Sequence, residues 1–366
     1  MTVVLTILAF AGLIVFHELG HFLLARATGM RVETFAVGFG PTLLSRTYGE
    51  TKYALCAVPL GGYVKISGMD PTEEDAKDDP RSYLNKTPLQ RILVILAGPV
   101  FNYILAAVIF AIVLLAGPME PDFSKAVIGD VLAGDPAATA GVLKGDRIVG
   151  VDEVEISDWA SFQAAVYARA EVPSKLRIDR EGEQLTLDVT PKKTLVDGQE
   201  VGLIGVVPKG KRGQGKPLGD ALLGGVLLTW DWNVRIVSGL YKIIRGKEEA
   251  NFQGPVGIVD TTAKAAAEGM IPLLILVAII SVHLGLFNLL PIPALDGGRL
   301  VFLGWEVVSR RPVNARVELA VHAVGFLLLI GLMIVVTIGD IGRLWGSPEP
   351  EAPAAVEDTQ GAEAAP

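Results

Sequence analysis

The stretch FHELGHFLLA, residues 16–25, sets two histidines and a glutamate inside an otherwise apolar segment. If the segment is a helix, His17 and His21 lie one turn apart on the same face, as two ligands of one metal must. HELGH fits H-E-x-x-H, in which the glutamate beside the first histidine activates a water at the metal as general base. The surrounding run, roughly 3–25, is long and apolar enough to cross about 30 Å of hydrocarbon as a helix. An unpaired Glu18 is costly at that depth, so ionisable side chains here point to function.

The rest of the composition agrees with a membrane setting. Of 366 residues, 51% are hydrophobic, and the mean hydropathy of +0.45 is high for a soluble chain. Four segments read as transmembrane helices: about 3–25, 91–117, 270–290 and 317–338. MTVVLTILAF carries no basic n-region and no small-residue cleavage pattern follows, so the first span is expected to stay in the mature protein. Cys56 is the one cysteine, which excludes an internal disulfide and a cysteine-built metal site. A metal must therefore use His, Asp or Glu. A fifth apolar stretch, 218–245, carries Asp231 and Arg235 at its middle, each costing roughly 2.5–3.5 kcal/mol at the bilayer centre. It reads as amphipathic helices on the membrane or packed on a soluble domain, within an outer-face linker region spanning 193–262.

Orientation follows from Lys and Arg near the spans. Arg26, Arg31, Lys77, Arg81, Lys86 and Arg91 border the first loop, and Arg299, Arg310, Arg311 and Arg316 the third. Both loops are expected in the cytoplasm, with both termini outside a bacterial cytoplasmic (inner) membrane. The acidic tail, 344–366, lacks apolar periodicity and is expected to be disordered.

Between the second and third spans, residues 125–192 alternate short β-like runs with turn signals, and DWASFQAAVYARA reads as a helix capped by Asp158 or Ser157. The run AATAGVLKGDRIVGVD, that helix and two strands joined at REGE resemble a bacterial PDZ domain. The expected fold is thus an α-helical polytopic membrane protein. Four transmembrane helices form its core from the halves 1–117 and 263–343, with one inserted α+β PDZ-like domain and a membrane-associated β-loop over 31–68.

Zinc held by two neutral imidazoles needs a third protein ligand and an open position. His283, His322 and carboxylates near membrane depth are the candidates. The topology puts His17 and His21 roughly 6–12 Å from the cytoplasmic end of the first span at 1.5 Å rise per residue. It puts Asp296, in NLLPIPALDGGR, at the cytoplasmic end of the third. Pro291 and Pro293 break that helix, and Gly297 and Gly298 permit close backbone approach, so Asp296 can turn inward.

HELGH, GPVFNYILA in the second span, the PDZ-like insertion, GPVGI at 254–258 and NLLPIPALDGG together resemble the site-2 protease family of intramembrane zinc metalloproteases, and within it the bacterial regulator of sigma-E protease branch. The resemblance covers nearly the whole chain except the tail. It implies that His17, His21 and Asp296 bind Zn2+, that Glu18 is the catalytic base, and that Asn288 contacts the substrate backbone. VGFGP (37–41), with Gly38 and Gly40, and YALCAVPLGGYVKISG (53–68) look like the family's β-loop, where substrate is expected to bind by addition to an edge strand between Tyr53 and Val58. Well-known members carry two tandem PDZ domains where this chain has room for one, which removes any two-domain gating scheme. His283 stands where some relatives have an amide, leaving a metal-related role open, and His322 is expected to bond helix to helix.

The implied reaction is peptide hydrolysis in or beside the bilayer. The implied substrates are single-span membrane proteins such as a pre-trimmed anti-sigma factor or signal-peptide remnants. Other partners are the lipid bilayer and a peptide ligand of the PDZ-like domain, with no nucleic acid. An inactive scaffold acting through that domain gives no reason to keep His17, Glu18, His21 and Asp296 together. A transporter fits poorly with four spans and no internal repeats.

Overall fold

The computed structural model describes residues 2–70, 73, 76, 78–196, 199–247 and 253–345. The chain forms two compact units. One runs to Pro118 and resumes over Gln214–Gly342, and the other contains Met119–Gly213. The acidic tail from 346 onward lies outside the described residues.

The first unit opens with helix α1 (Thr2–Ala27), strands β1 (Val32–Tyr48) and β2 (Thr51–Ile66), and helix α2 (Pro88–Ala116). Thr87 and Gln90 start α2 with reciprocal side-chain bonds to each other's backbone N–H. The two helices meet backbone to backbone, since a Cβ on Gly20 would stand 2.3 Å from the Ala97 carbonyl oxygen. The sheet is richer than one hairpin. Residues 34–37 pair with 52–55 on one side and with 62–65 on the other, while 42–48 pair with 51–56. The strand order is therefore 42–48, 51–56, 32–39, 58–66, and the edges are 42–48 and 58–66. This corrects the expectation of an edge between Tyr53 and Val58. Residues 53–55 of that segment are paired on both flanks because Gly38 and Gly40, at φ +88° and +85°, turn β1 back on itself.

The second unit is a small α+β fold. In chain order it holds β3 (Met119–Pro121), β4 (Ile128–Val131), α3 (Pro136–Thr139), β5 (Arg147–Val151), β6 (Val154–Glu155), α4 (Trp159–Tyr167), β7 (Ser174–Arg180), β8 (Glu183–Val189), β9 (Lys192–Val196), β10 (Gln199–Leu203), β11 (Val206–Pro208) and β12 (Gly210–Arg212). Four of these form an antiparallel sheet in the order β6-β5-β7-β8. Asp158 caps α4 by accepting from the Ser161 N–H at 2.8 Å. Trp159, Phe162 and Val166 on one face of α4 bury against Ile148, Val151, Leu176 and Ile178. The buried Asp146 carboxylate is held at 2.8 Å by two Arg180 nitrogens and by the Leu143 N–H. Burial works to raise that carboxyl, but the guanidinium and the backbone N–H prevail and hold it below its ordinary value. Its stabilising contribution is complete above the unfolded value near pH 4 and is lost as pH falls through the depressed one.

The chain re-enters the first unit through α5 (Leu218–Ile244), α6 (Pro255–Glu268), α7 (Met270–Leu289), α8 (Asp296–Ser309) and α9 (Ala315–Trp345). The stretch read as surface helices is one 27-residue helix packed along α2 and α7. A Cβ on Gly225 would meet the Ala107 carbonyl oxygen at 2.3 Å, and farther along Asn233 accepts from the Tyr103 hydroxyl at 3.3 Å. So α5 runs antiparallel to α2, and its Asp231 and Arg235, out of the contact, pair with each other at 2.9 Å. Asp340 of α9 fixes the start of α6 by accepting from the N–H groups of Gly254 and Gly257. Four described helices are long and apolar enough to cross a membrane: Thr6–Ala27, Pro88–Ala116, Met270–Leu289 and Ala315–Gly342. The protein is mostly helical, with several small sheets.

Candidate active site

His17 and His21 project from α1 toward the start of α8. Their Nε2 atoms are 3.1 Å apart, and Oδ2 of Asp296 lies 3.1 Å from the first and 3.3 Å from the second. These three atoms form a nearly equilateral triangle. Ligand atoms at bonds of about 2.0–2.1 Å around a tetrahedral zinc stand roughly 3.3–3.4 Å apart, so the donor set fits one such ion. The chemistry of the donors agrees. His21 gives its Nδ1–H to the Val94 carbonyl at 2.8 Å, and since a carbonyl only accepts, the neutral ring has a bare Nε2. Oδ2 of Asp296 is buried and, despite the short separations, no N–H of the described residues is aimed at it in bonding geometry. The bare Nε2 of His21 and the buried Oδ2 of Asp296 thus converge with Nε2 of His17 on one point, an arrangement that a cation satisfies.

Local sequence explains how two distant segments converge. A Cβ on Gly98 of α2 would lie 2.3 Å from Nε2 of His21 and 2.8 Å from Cε1 of His17, so the imidazoles occupy the space that only glycine leaves. On the other side, α7 ends at Leu289 and the chain turns through Ala294, whose φ is +77°. Gly297 and Gly298 press against this turn, with their Cβ positions 2.0 Å from the Leu290 oxygen and 2.6 Å from the Ile292 oxygen. His322 of α9 accepts from the Ala294 N–H through Nδ1 at 2.9 Å. It was expected to bridge helices, and instead it secures the loop that delivers Asp296.

A cavity of about 380 Å³ opens over the triangle, lined by His17, Glu18, His21, Asn288, Asp296 and Arg299 together with Tyr63, Val64 and Ile66 of β2. A Cβ on Gly62 would stand 3.4 Å from Cγ of Glu18, so the 58–66 edge lies against this side chain. The structure therefore brings together five of the seven residues singled out in the sequence. Gly38 and Gly40 do not line the cavity. Their role in the structure is the turn within β1, where Gly38 passes so close to the Val58 oxygen that a Cβ would stand at 2.6 Å. His283 is outside the triangle and gives its Nδ1–H to Ile279 in its own helix. Gly98, Asn102, Tyr63, Val64 and Arg299 received no individual role in the site from sequence. For Gly98 and Asn102 a signal existed, since they stand four apart on one helix face.

The chain matches peptidase family M50 over residues 5–332. It is similar to the zinc metalloprotease RasP of Geobacillus kaustophilus, with 32% identity over 93% of this chain and 97% of that protein. It is likewise similar to the RasP of Oceanobacillus iheyensis, with 30% identity over 94% of this chain and 99% of that one. A Clostridium perfringens relative is 38% identical over 93% of this chain and 98% of its own length. With the match running through both halves of the site, from α1 to α9, the chain belongs to peptidase family M50, the site-2 protease family of zinc metalloproteases.

Proposed function

We propose that this zinc metallopeptidase cuts single-span membrane proteins within or near their transmembrane segment. The observation that carries this reading is the triangle of His17, His21 and Asp296, with Glu18 in the same cavity, the first two on a helix fit to cross the bilayer and Asp296 just beyond the end of another. His17, His21 and Asp296 hold the ion, which when bound supplies Lewis-acid polarisation of the scissile carbonyl and a more acidic water. Glu18 takes the proton of the attacking water on its carboxylate and passes it to the leaving amine nitrogen. Asn288 hydrogen-bonds the substrate backbone beside the metal. Substrates are proteins already trimmed by another protease, of the anti-sigma-factor or signal-peptide-remnant kind.

A transmembrane substrate helix must unwind before an amide is exposed, and freed polar groups cost several kcal/mol each in hydrocarbon. The 58–66 edge offers replacement bonds by strand addition. In support, Tyr63, Val64 and Ile66 of this edge line the cavity over the triangle. The Met119–Gly213 unit acts as a single PDZ-like domain on the outer face of the bacterial cytoplasmic membrane, screening substrate size or binding a peptide end. Its capped helix over a four-stranded antiparallel sheet supports that reading. The loops rich in Lys and Arg, 26–90 and 291–316, face the cytoplasm, and both termini face outside.

Glu18→Gln should keep one zinc per chain and lose cleavage of a single-span substrate by about 10²-fold or more, because an amide fills the space without taking a proton. His17→Ala, His21→Ala and Asp296→Ala should lose the metal itself. Zinc content beside a cleavage assay separates the two classes, and wild-type cleavage by Asp296→Ala would remove that residue from the site. For strand addition, a cysteine at Tyr63 should form disulfides with every second position of a cysteine-scanned substrate. Cys56 is buried and leaves the background low. Crosslinks repeating every three or four positions would mean that the substrate stays helical there. A cysteine at Ser124 should react with an impermeant reagent in intact cells; labelling only after permeabilisation would contradict an outer-face filter.

A further inference from the structure

Asn102 lies on α2 one turn beyond Gly98 and is 0% exposed. Ser281 of α7 donates its hydroxyl to the Asn102 backbone oxygen at 2.8 Å, which pins the residue between two helices. The end of its carboxamide written as Nδ2 stands 3.1 Å from Nδ1 of His17, and the end written as Oδ1 has no hydrogen-bond partner among the described residues. A buried amide placed so asymmetrically is expensive unless the one bond it makes matters.

The placement of nitrogen and oxygen in that amide is decided by chemistry, because the two ends have the same shape. His17 directs Nε2 into the triangle, at 3.1 Å from both its neighbours there. A nitrogen that ligates a metal carries no proton, so the single proton of the neutral ring sits on Nδ1. Nδ1–H needs an acceptor, and only the amide oxygen can serve. We infer that Asn102 is a positioning residue of the site, accepting Nδ1–H of His17 through its side-chain oxygen and thereby fixing the tautomer and ring plane that aim Nε2 at the zinc. This rests on the zinc reading of His17, His21 and Asp296. It gives His17 what the Val94 carbonyl gives His21, so each imidazole is oriented by a separate acceptor on α2. The device is specific to α2: Gly98 makes room for the rings, and Asn102, four residues on, sets one of them.

The test is zinc affinity of the full-length protein in detergent, measured by competition with a chromogenic chelator. Asn102→Ala, which suits a helix interior, should bind zinc about 10–100-fold more weakly, the usual loss when a ligand's hydrogen-bond partner is removed. Asn102→Asp, which retains an oxygen at the same reach, should stay within about threefold of wild type. If the alanine variant fails to fold, Asn102→Leu keeps the volume and should show the same weakening. Zinc affinity unchanged in the alanine or leucine variant overturns the assignment. So does an aspartate variant as weak as alanine while folded, since mere packing would explain that. A wild-type chain that binds no zinc overturns this inference together with the metal reading, whereas tight wild-type binding that ignores Asn102 overturns this inference alone.

Discussion

Three acceptor atoms from two ends of the chain meet within 3.3 Å of one another in the apolar part of this protein. Left alone, a buried carboxylate beside two lone pairs is repulsive and poorly solvated, and each such group costs several kcal/mol when it is unpaired in a low-dielectric setting. A divalent cation reverses the sign of that term. Much of the surrounding architecture serves to hold these atoms against their own repulsion until the cation arrives. Gly20 and Gly98 draw α1 and α2 into backbone contact, and Gly297 and Gly298 clamp the turn that ends in Asp296. The site is rigid because small residues replace side-chain packing with direct backbone packing, the common means of tight helix association in a membrane.

The same geometry links metal binding to substrate handling. Glu18, one residue from His17, lies against the 58–66 edge, with its Cγ 3.4 Å from where a Cβ on Gly62 would stand. The proposed base and the strand proposed to receive substrate are therefore neighbours in one cavity wall. Phe22 on α1 packs edge-on to Phe35 and Tyr53 of the sheet with ring centres 5.3 Å and 6.0 Å away. This aromatic cluster fixes the sheet to the helix that carries both histidines. Movement of the sheet would disturb the helix face that carries Glu18, because the sheet forms part of the cavity wall.

Much of this was legible in the sequence for a specific reason. Helical spacing is arithmetic, so HELGH announced a shared face for His17 and His21, and the four apolar runs announced spanning helices. The breaks at Pro291 and Pro293 and the paired glycines announced where Asp296 turns in. What escaped was tertiary. The antiparallel course of α5 along α2 was hidden because Asp231 and Arg235 look prohibitive in lipid until they neutralise each other. The edge strand was misplaced because two positive-φ glycines fold one apparent strand into two, and no alternation pattern records that. Asn102 carried a signal in its spacing from Gly98, but nothing local named His17, 85 residues away, as its partner, and His322 was misread because it binds a loop backbone and not another side chain.

The account stands on the identity of the three ligands, and zinc X-ray absorption on the full-length protein tests it most directly. Two imidazoles and one carboxylate predict a shell of four nitrogen and oxygen neighbours at about 2.0–2.1 Å, the fourth from solvent, with outer-shell scattering of two histidine rings. In Asp296→Ala the protein neighbours should fall to two, with both ring signatures retained in whatever zinc remains bound. Scattering from a third imidazole, which His283 or His322 would have to supply, or a first shell unchanged by the loss of Asp296, would contradict the site described for this chain.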